Sequence, residues 1–234
     1  MKYLLTISYD GSKFNGFQRQ NNVRNIQGEI ENSLSDFFNE KVVIKGAGRT
    51  DRGVHAISQK AHFVTNNRIK GLKSYLNKNL QDIKIKKIEK VKNDFHARHN
   101  VISKRYIYKI SQRKKDDSNY YLINKGNLNI SKMRECAKLF IGTHDYRNFV
   151  SGEREDYTST IYNIRIIRFF KRIYIIFDGI GFYRYMIRNI VGALIQVSKN
   201  KVSIDEVNDM INCNSDKRLN TALANGLYLV KIKY

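Results

Sequence analysis

The pattern of apolar positions in the first hundred residues alternates between strand and helix periods. A strand is predicted where β-forming residues run from Tyr3 to Tyr9 and stop at the turn dipeptide Asp10-Gly11. Apolar residues then recur at steps of four and three, which predicts an amphipathic helix: Ile26, Ile30, Leu34 and Phe37. Similar patterns predict a strand at 61–64, a helix at 69–80 and a strand at 83–91.

The second half repeats this alternation. A strand is predicted at 105–110, followed by a helix with Ser131 as N-cap and Gly142 as its stop. Runs of β-forming residues predict an antiparallel hairpin, with strands at 161–169 and 173–177 joined through Lys171-Arg172. The last predicted elements are a long helix at 182–197, a helix opened by a capping box of Ser203 and Glu206, and a strand at 226–230.

No linker or short repeat separates these elements. We therefore predict an α+β protein of two similar α/β halves, residues 1–103 and 104–234. The halves are expected to share one central, mostly antiparallel sheet with helices packed on it.

The composition of the chain indicates a class of binding partner. The chain has 234 residues, of which 41% are hydrophobic, so it can bury a substantial core. Its net charge of +22 exceeds what solubility needs and favours a polyanion such as RNA over a small acidic metabolite. A basic surface without a specific partner is the alternative.

Cysteine usage and hydropathy bear on the compartment. Cys136 and Cys213 stand apart outside any paired motif, so we expect reduced thiols and no disulfide framework. No stretch approaches the roughly 20 apolar residues of a membrane span. A soluble, cytoplasmic protein is therefore expected.

One glycine-rich segment holds a concentration of charged residues. Residues 46–55 read Gly-Ala-Gly-Arg-Thr-Asp-Arg-Gly-Val-His, with the carboxylate at Asp51. Glycines allow close approach of another backbone, and arginines suit phosphates or base edges. The segment is neither a Walker A loop nor a dinucleotide fingerprint. Judged by residue type alone, it is typical of a structural turn with a local ion pair.

The order of several motifs along the chain favours a functional role for this segment over a purely structural turn. Gly48-Arg49-Thr50-Asp51 with the following Gly53-Val54-His55 resembles the signature loop of the TruA-like pseudouridine synthases, in which the aspartate is the catalyst. Five further segments resemble motifs of that family in the expected order: Tyr9-Asp10-Gly11 with 16–20, Phe95-His96-Ala97-Arg98, Lys104-Arg105-Tyr106-Ile107-Tyr108, the helix segment 186–192, and the terminal strand 226–234. Together they span nearly the whole chain.

This resemblance implies a catalytic set. Asp51 is implied as the catalytic carboxylate in a cleft between the halves, with Arg188 as the basic partner that favours its ionised form. Tyr106 is implied to stack on the flipped uracil. From residue type alone, Arg188 remains open as a helix-surface cation and Tyr106 as a packing residue of a strand. Uridine isomerisation involves no net redox change or group transfer, so no cofactor or metal is expected.

The resemblance also implies RNA contacts. Arg49 is the candidate to fill the gap that a flipped base leaves, and Gln18 is a further RNA contact. Other cations could guide phosphates: Arg52, Arg98, Arg105, Arg184, Lys84 and Lys86. The two lysines fit a solvated strand edge better. His96 and His99 lack the further ligands that a metal site needs.

The substrate follows from the family as well. The resemblance implies a homodimer that acts on uridines 38–40 in the tRNA anticodon stem-loop. Ser159-Thr160-Ile161 lacks the basic residue that family members commonly have there, which puts one RNA contact in doubt. Two alternatives stay open: the same chemistry on ribosomal or another structured RNA, and a non-catalytic RNA-binding module.

Overall fold

The protein is described by a computed structural model that covers residues 1–234. Ten strands are present: β1 (Lys2–Tyr9), β2 (Lys45–Gly46), β3 (His55–Val64), β4 (Ile83–Val91), β5 (Ser103–Ser111), β6 (Leu122–Ile123), β7 (Gly142–Asp145), β8 (Thr158–Phe169), β9 (Arg172–Ile180) and β10 (Leu227–Lys233). Five helices accompany them: α1 (Ile26–Phe38), α2 (Leu72–Asn79), α3 (Ile130–Lys138), α4 (Met186–Ser198) and α5 (Ile204–Ile211). The predicted α+β class with mostly antiparallel pairing is confirmed.

The chain divides into two compact units. Unit 1 comprises Met1–Ile102 and Tyr228–Tyr234, and unit 2 comprises Ser103–Leu227. The sequence suggested 1–103 and 104–234, which differs in the position of the last strand. Strand β10 belongs with unit 1 because it pairs in parallel with the start of β3, where Tyr228 lies opposite His55.

In unit 1 the strand order is β4-β1-β3-β10, with β2 paired to β3. β1 is flanked on both sides by antiparallel neighbours, and its Leu5 and Ile7 are fully buried. The predicted helix stripe is confirmed in α1, where Ile26, Ile30 and Leu34 have no exposed surface. The side chain of Asn25 caps this helix by accepting from the Gly28 N–H.

In unit 2 four antiparallel strands follow the order β5-β9-β8-β7, and the short β6 pairs in parallel with β5. Helix α3 packs on α4 and on β8. Strands β5 and β9 supply large buried side chains to the core: Tyr108, Ile110, Ile173, Ile175 and Phe177.

Several element boundaries differ from the predicted ones for local reasons. Helix α3 is capped by Asn129, whose side chain accepts from the Lys132 N–H, and not by Ser131. It ends at Lys138, and Gly142, with φ of +118°, opens β7 instead of stopping the helix. Helix α4 begins at Met186 and not near 182, because Tyr185 has a left-handed φ of +63°.

Other boundaries shift by a few residues or agree. The β8–β9 turn consists of Phe170 and Lys171, one residue earlier than predicted. Strand β3 is longer than the predicted 61–64 and starts at the last residue of the glycine-rich segment. The capping box of Ser203 and Glu206 is confirmed, with both reciprocal hydrogen bonds present. None of the five helices has the length and apolar character needed to span a membrane.

Candidate active site

Asp51 lies in the loop that connects β2 to β3 in unit 1. The chain reverses after it: the Val54 N–H donates to the Asp51 carbonyl at 3.1 Å, and Gly53 has a φ of +81°. Thr50 and Val54 are buried, Asp51 is half-buried, and Arg49 and Arg52 are exposed. The loop therefore anchors its small side chains in the core while its charged residues reach outward.

The opening motif of the chain packs directly beneath this loop. A Cβ atom at Gly11 would lie 2.0 Å from the Val54 carbonyl oxygen, and one at Gly16 would lie 2.8 Å from the Thr50 carbonyl oxygen. The Phe17 N–H donates to that same Thr50 oxygen at 3.1 Å. Glycine is required at both positions because backbone meets backbone there. The two motifs are thus one structural unit.

A buried hydrogen-bond network holds the residues before Asp51. The Tyr9 hydroxyl and the Thr50 Oγ1 are 2.8 Å apart, and the Gln59 Nε2 donates to the Gly48 carbonyl at 3.0 Å. Burial raises the pKa of Tyr9 to about 12, against the lowering effect of its hydrogen bonds to Thr50 and Gln59. Tyr9 therefore stays a neutral hydrogen-bonding group. The sequence analysis placed Tyr9 in the first strand and in the opening motif, without a role for its hydroxyl, and it did not single out Gln59.

His55 fixes the other end of the loop. Its Nδ1 accepts a hydrogen bond from the Gly11 N–H at 3.1 Å, and its ring stacks on Tyr228 at 4.5 Å between centroids. The same Nδ1 lies 3.3 Å from Asp10 Oδ1. His55 is an anchor that joins the opening motif, the loop and β10.

The predicted RNA contacts of unit 1 are exposed. Arg49, Arg52, Arg98 and Gln18 all lie at the surface. Two other arginines of this unit are engaged by carboxylates: Arg19 pairs with Glu31, and Arg24 pairs with Glu29 and Asp82. Arg49, Arg52 and Arg98, by contrast, are accessible to an anionic ligand.

Tyr106 lies on β5 in unit 2, opposite Phe177 of β9. It is 7% exposed, and its ring meets Phe182 edge-on with 5.3 Å between centroids. Packing against Phe182 therefore holds the Tyr106 ring in one orientation.

Arg188 projects from the first turn of α4 and is half-buried. Its Nε donates to the Ala222 carbonyl at 2.8 Å, and its guanidinium lies 4.5 Å from the centre of the Tyr185 ring. Burial raises the pKa of Tyr108, and the charge of Arg188 acts in the opposite direction. These contacts orient Arg188, which is unlike a mobile surface cation.

Gly192 allows the segment 220–222 to pack against helix α4 beside Arg188. A Cβ at this position would lie 1.9 Å from the Asn220 carbonyl oxygen, and the Ala222 N–H donates to the Arg188 carbonyl at 3.1 Å. The segment 220–222 therefore runs against α4, which only a glycine at 192 permits. This accounts for the glycine at the end of the 186–192 motif.

Arg105 is engaged within unit 2. Its guanidinium forms a bidentate pair with Asp178 at 2.6 and 3.0 Å, and this hydrogen bonding raises the pKa of Arg105. Because Arg105 and Asp178 are paired positions on β5 and β9, the contact ties the two strands together. An RNA contact by Arg105 remains a prediction and would have to share this guanidinium.

His96 has a local structural role. Its Nδ1 accepts from the N–H groups of Arg98 and His99 at 3.1 and 3.3 Å. His62, whose ring lies against that of His96, accepts from the Ala97 N–H at 3.1 Å. Burial lowers the pKa of His62 to about 4. The histidines shape the turn that presents Arg98.

Comparison with known proteins places this chain in a family. Residues 5–100 and 136–234 match the family model described as tRNA pseudouridine synthase. A relative from Malacoplasma penetrans, named tRNA pseudouridine synthase A, is 40% identical over the full length of both chains. A relative of the same name from Thermosipho melanesiensis is 36% identical over 100% of this chain and 99% of its own.

A chain from a solved Cbf5-Nop10-Gar1 complex is also similar, with a TM-score of 0.40 and 12% identity over 82% of this chain and 45% of that one. The chain described here belongs to the tRNA pseudouridine synthase family. The family predicted from the ordered motifs is thereby confirmed.

Proposed function

We propose that this protein isomerises uridine to pseudouridine in tRNA, at positions 38–40 of the anticodon stem-loop, with Asp51 as its catalytic carboxylate. The observation that carries the proposal is the loop around Asp51. It is held from beneath by Gly11, Gly16, Tyr9 and Gln59, and it lies within the family match.

The reaction breaks the bond from N1 to C1′ and forms one from C5 to C1′. The proton on C5 is lost and N1 gains one, so atoms and electrons balance without a cofactor. In the proposed mechanism the ionised carboxylate of Asp51 either attacks C1′ or removes a proton from the sugar. A loop held in one geometry suits either role, because in each the carboxylate must meet one atom of a flipped nucleotide.

Tyr106 and Arg188 complete the proposed catalytic set. Tyr106 offers an aromatic ring held by Phe182, which suits stacking on a flipped uracil. Arg188 offers a guanidinium oriented by Ala222 and Tyr185, which suits stabilising negative charge. Arg49, Arg52, Arg98 and Gln18 are proposed to bind the RNA, since they are exposed.

Tritium release from tRNA labelled at uracil C5 tests the activity directly. Wild-type protein is expected to release tritium, and Asp51→Asn is expected to release none above background. Mapping pseudouridine in tRNA and ribosomal RNA, with and without the gene, distinguishes the anticodon stem-loop from other targets. Binding of several cellular RNAs with no release from any of them would leave only a non-catalytic RNA-binding module.

The proposal extends to a homodimer, which the family resemblance implies, and to the cytoplasm, which the unpaired cysteines and the hydropathy of the sequence favour. Light scattering of the purified protein at several concentrations measures the molecular mass. A mass of one chain at all concentrations would contradict the dimer. Cell fractionation tests the compartment.

A further inference from the structure

The hairpin formed by β8 and β9 ends in two exposed aromatic rings. Phe170 is 82% exposed and Phe169 is 61% exposed. Their centroids lie 4.7 Å apart in an edge-to-face arrangement. Ile167, two residues before Phe169 on β8, is also exposed. Aromatic side chains this exposed cost solubility and are typical of surfaces that bind something.

The backbone of this aromatic tip, defined as Phe169 and Phe170, is held in place. The Gln112 N–H donates to the Lys171 carbonyl at 2.8 Å, and the Arg168 Nε donates to the Phe170 carbonyl at 3.2 Å. The Gln112 side chain is bonded in turn to the Gly126 carbonyl at 2.8 Å. The rings are therefore presented by a fixed turn, which lowers the entropy cost of binding.

The segments that form and support the tip are rich in cations. Four exposed cations lie in the hairpin end or shortly after Gln112 in sequence: Lys114, Lys115, Arg168 and Lys171. Asp116 is neutralised by a bidentate pair with Arg172 at 2.8 Å for both bonds. Asp117, the next residue, accepts from the Asn119 N–H. The exposed cations therefore outnumber the carboxylates in these segments.

We propose that the aromatic tip is an RNA-binding surface, at which exposed bases stack on Phe169 and Phe170 while the surrounding cations contact phosphates. Exposed rings flanked by cations are the combination that binds unpaired nucleotides, because every base has a stacking face and every nucleotide a negative phosphate. A second copy of this chain is a poorer fit, because its own tip would bring the same positive charge.

The strand register fixes how this surface relates to Tyr106. Phe169 pairs with Arg172, and Tyr106 pairs with Phe177, five positions further along β9. At about 3.3 Å per residue the two positions are roughly 16 Å apart along the strand. One folded RNA can reach both, with its stacked nucleotides several positions away from the reacting uridine.

The absence of tryptophan from the sequence makes the test specific. Phe170→Trp introduces a single fluorophore at the tip, and Val64→Trp places one at another exposed site, on β3, as the matched control. Titration with tRNA is expected to quench the emission of the tryptophan at position 170 and to leave that of the tryptophan at position 64 unchanged. The midpoint of the quenching should equal the midpoint of a binding curve measured separately. Equal responses at both positions would overturn the proposal.

Affinity provides the second measurement. The double variant Phe169→Ala/Phe170→Ala is expected to weaken tRNA binding about tenfold, and Val64→Ala to leave it unchanged. The double phenylalanine variant should keep the salt dependence of wild type, whereas Lys114→Ala/Lys171→Ala should reduce it. Unchanged affinity in the double phenylalanine variant would sink the proposal. Emission of the Phe170→Trp variant that changes with protein concentration in the absence of RNA would also sink it, because that result indicates a dimer contact.

This inference rests on the proposed function, since it takes tRNA as the partner, but the two can fail separately. Tritium release by wild type together with no response at position 170 leaves the activity intact and removes the tip. A failure of wild-type protein to bind any tRNA removes both.

Discussion

The loop that carries Asp51 and the turn that carries Phe170 are both short reversals containing one residue of positive φ, +81° at Gly53 and +51° at Phe170. Their surroundings are opposite. The Asp51 loop is supported by backbone contacts, a buried hydroxyl and a buried amide. The Phe170 turn is fixed at its backbone, and its side chains are exposed. We infer that the first is built for one geometry and the second for tolerance of many partners.

The carboxylate should dominate activity and contribute little to affinity. Asp51→Asn keeps the shape of the side chain and removes its charge, so turnover is expected to fall to background while tRNA affinity stays within about tenfold. Tritium release and filter binding measure the two quantities. Parallel loss of binding and turnover would contradict this separation, provided that thermal unfolding shows a folded variant.

Crowding beneath the Asp51 loop should be costly. Gly16→Ala adds a Cβ 2.8 Å from the Thr50 oxygen at a φ of +100°, so a loss of about 2–4 kcal/mol in the free energy of unfolding is expected. Gly71 has a φ of +80° with no atom within 4 Å of the added Cβ. Gly71→Ala should therefore lose only about 1 kcal/mol. Equal losses in urea denaturation would show that backbone strain alone matters.

The buried hydroxyl should matter for both stability and rate. Tyr9→Phe removes the bond to Thr50, and a loss of about 1 kcal/mol in unfolding free energy is expected. Because the Thr50 backbone leads directly into Asp51, kcat should fall about tenfold with KM nearly unchanged. Tyr3→Phe is the control, since that hydroxyl contacts the Met1 sulfur at 3.5 Å, far from the loop in sequence. A Tyr9→Phe enzyme with wild-type kcat would separate the network from the chemistry.

The effect that is confined to acidic conditions is a pH dependence of unit 1. Burial lowers the pKa of His62 from 6.5 to about 4 in the folded state. The unfolded state therefore binds the proton first, and the free energy of unfolding should fall as the pH drops from about 6.5 towards 4. Urea denaturation across this range measures the slope. His62→Asn, which keeps an acceptor for the Ala97 N–H, should flatten it, and an unchanged slope would assign the effect elsewhere.

Local signals made much of the fold predictable. The apolar stripe of α1, the strand β1 before Asp10-Gly11 and the Ser203 capping box depend on residues close in sequence. The place of β10 depends on pairing with β3, which lies near the other end of the chain, and no local pattern encodes such a register. The cap of α3 was missed for a different reason, because Asn129 and Ser131 are both good capping residues and lie within one turn of each other.

The candidate site was predictable to a similar degree. Glycines and charges drew attention to residues 46–55, but only the ordered motifs distinguished Asp51 from an acidic turn residue. The role of Gln59 was not predictable, because an amide inside a strand has no sequence signal until its partner at Gly48 is known. The pairing of Arg105 with Asp178 was not predictable for the same reason, because these two residues lie 73 positions apart in the sequence.

The return of β10 to unit 1 has a consequence for the order in which the protein folds. Tyr228 stacks on His55, and the first residues of β3 gain their parallel neighbour from β10, which follows all the other strands in chain order. A nascent chain whose β10 is still inside the ribosomal exit tunnel therefore carries the Asp51 loop with one edge of β3 open. We expect such nascent chains to lack the modification activity and to acquire it once β10 has emerged and paired with β3.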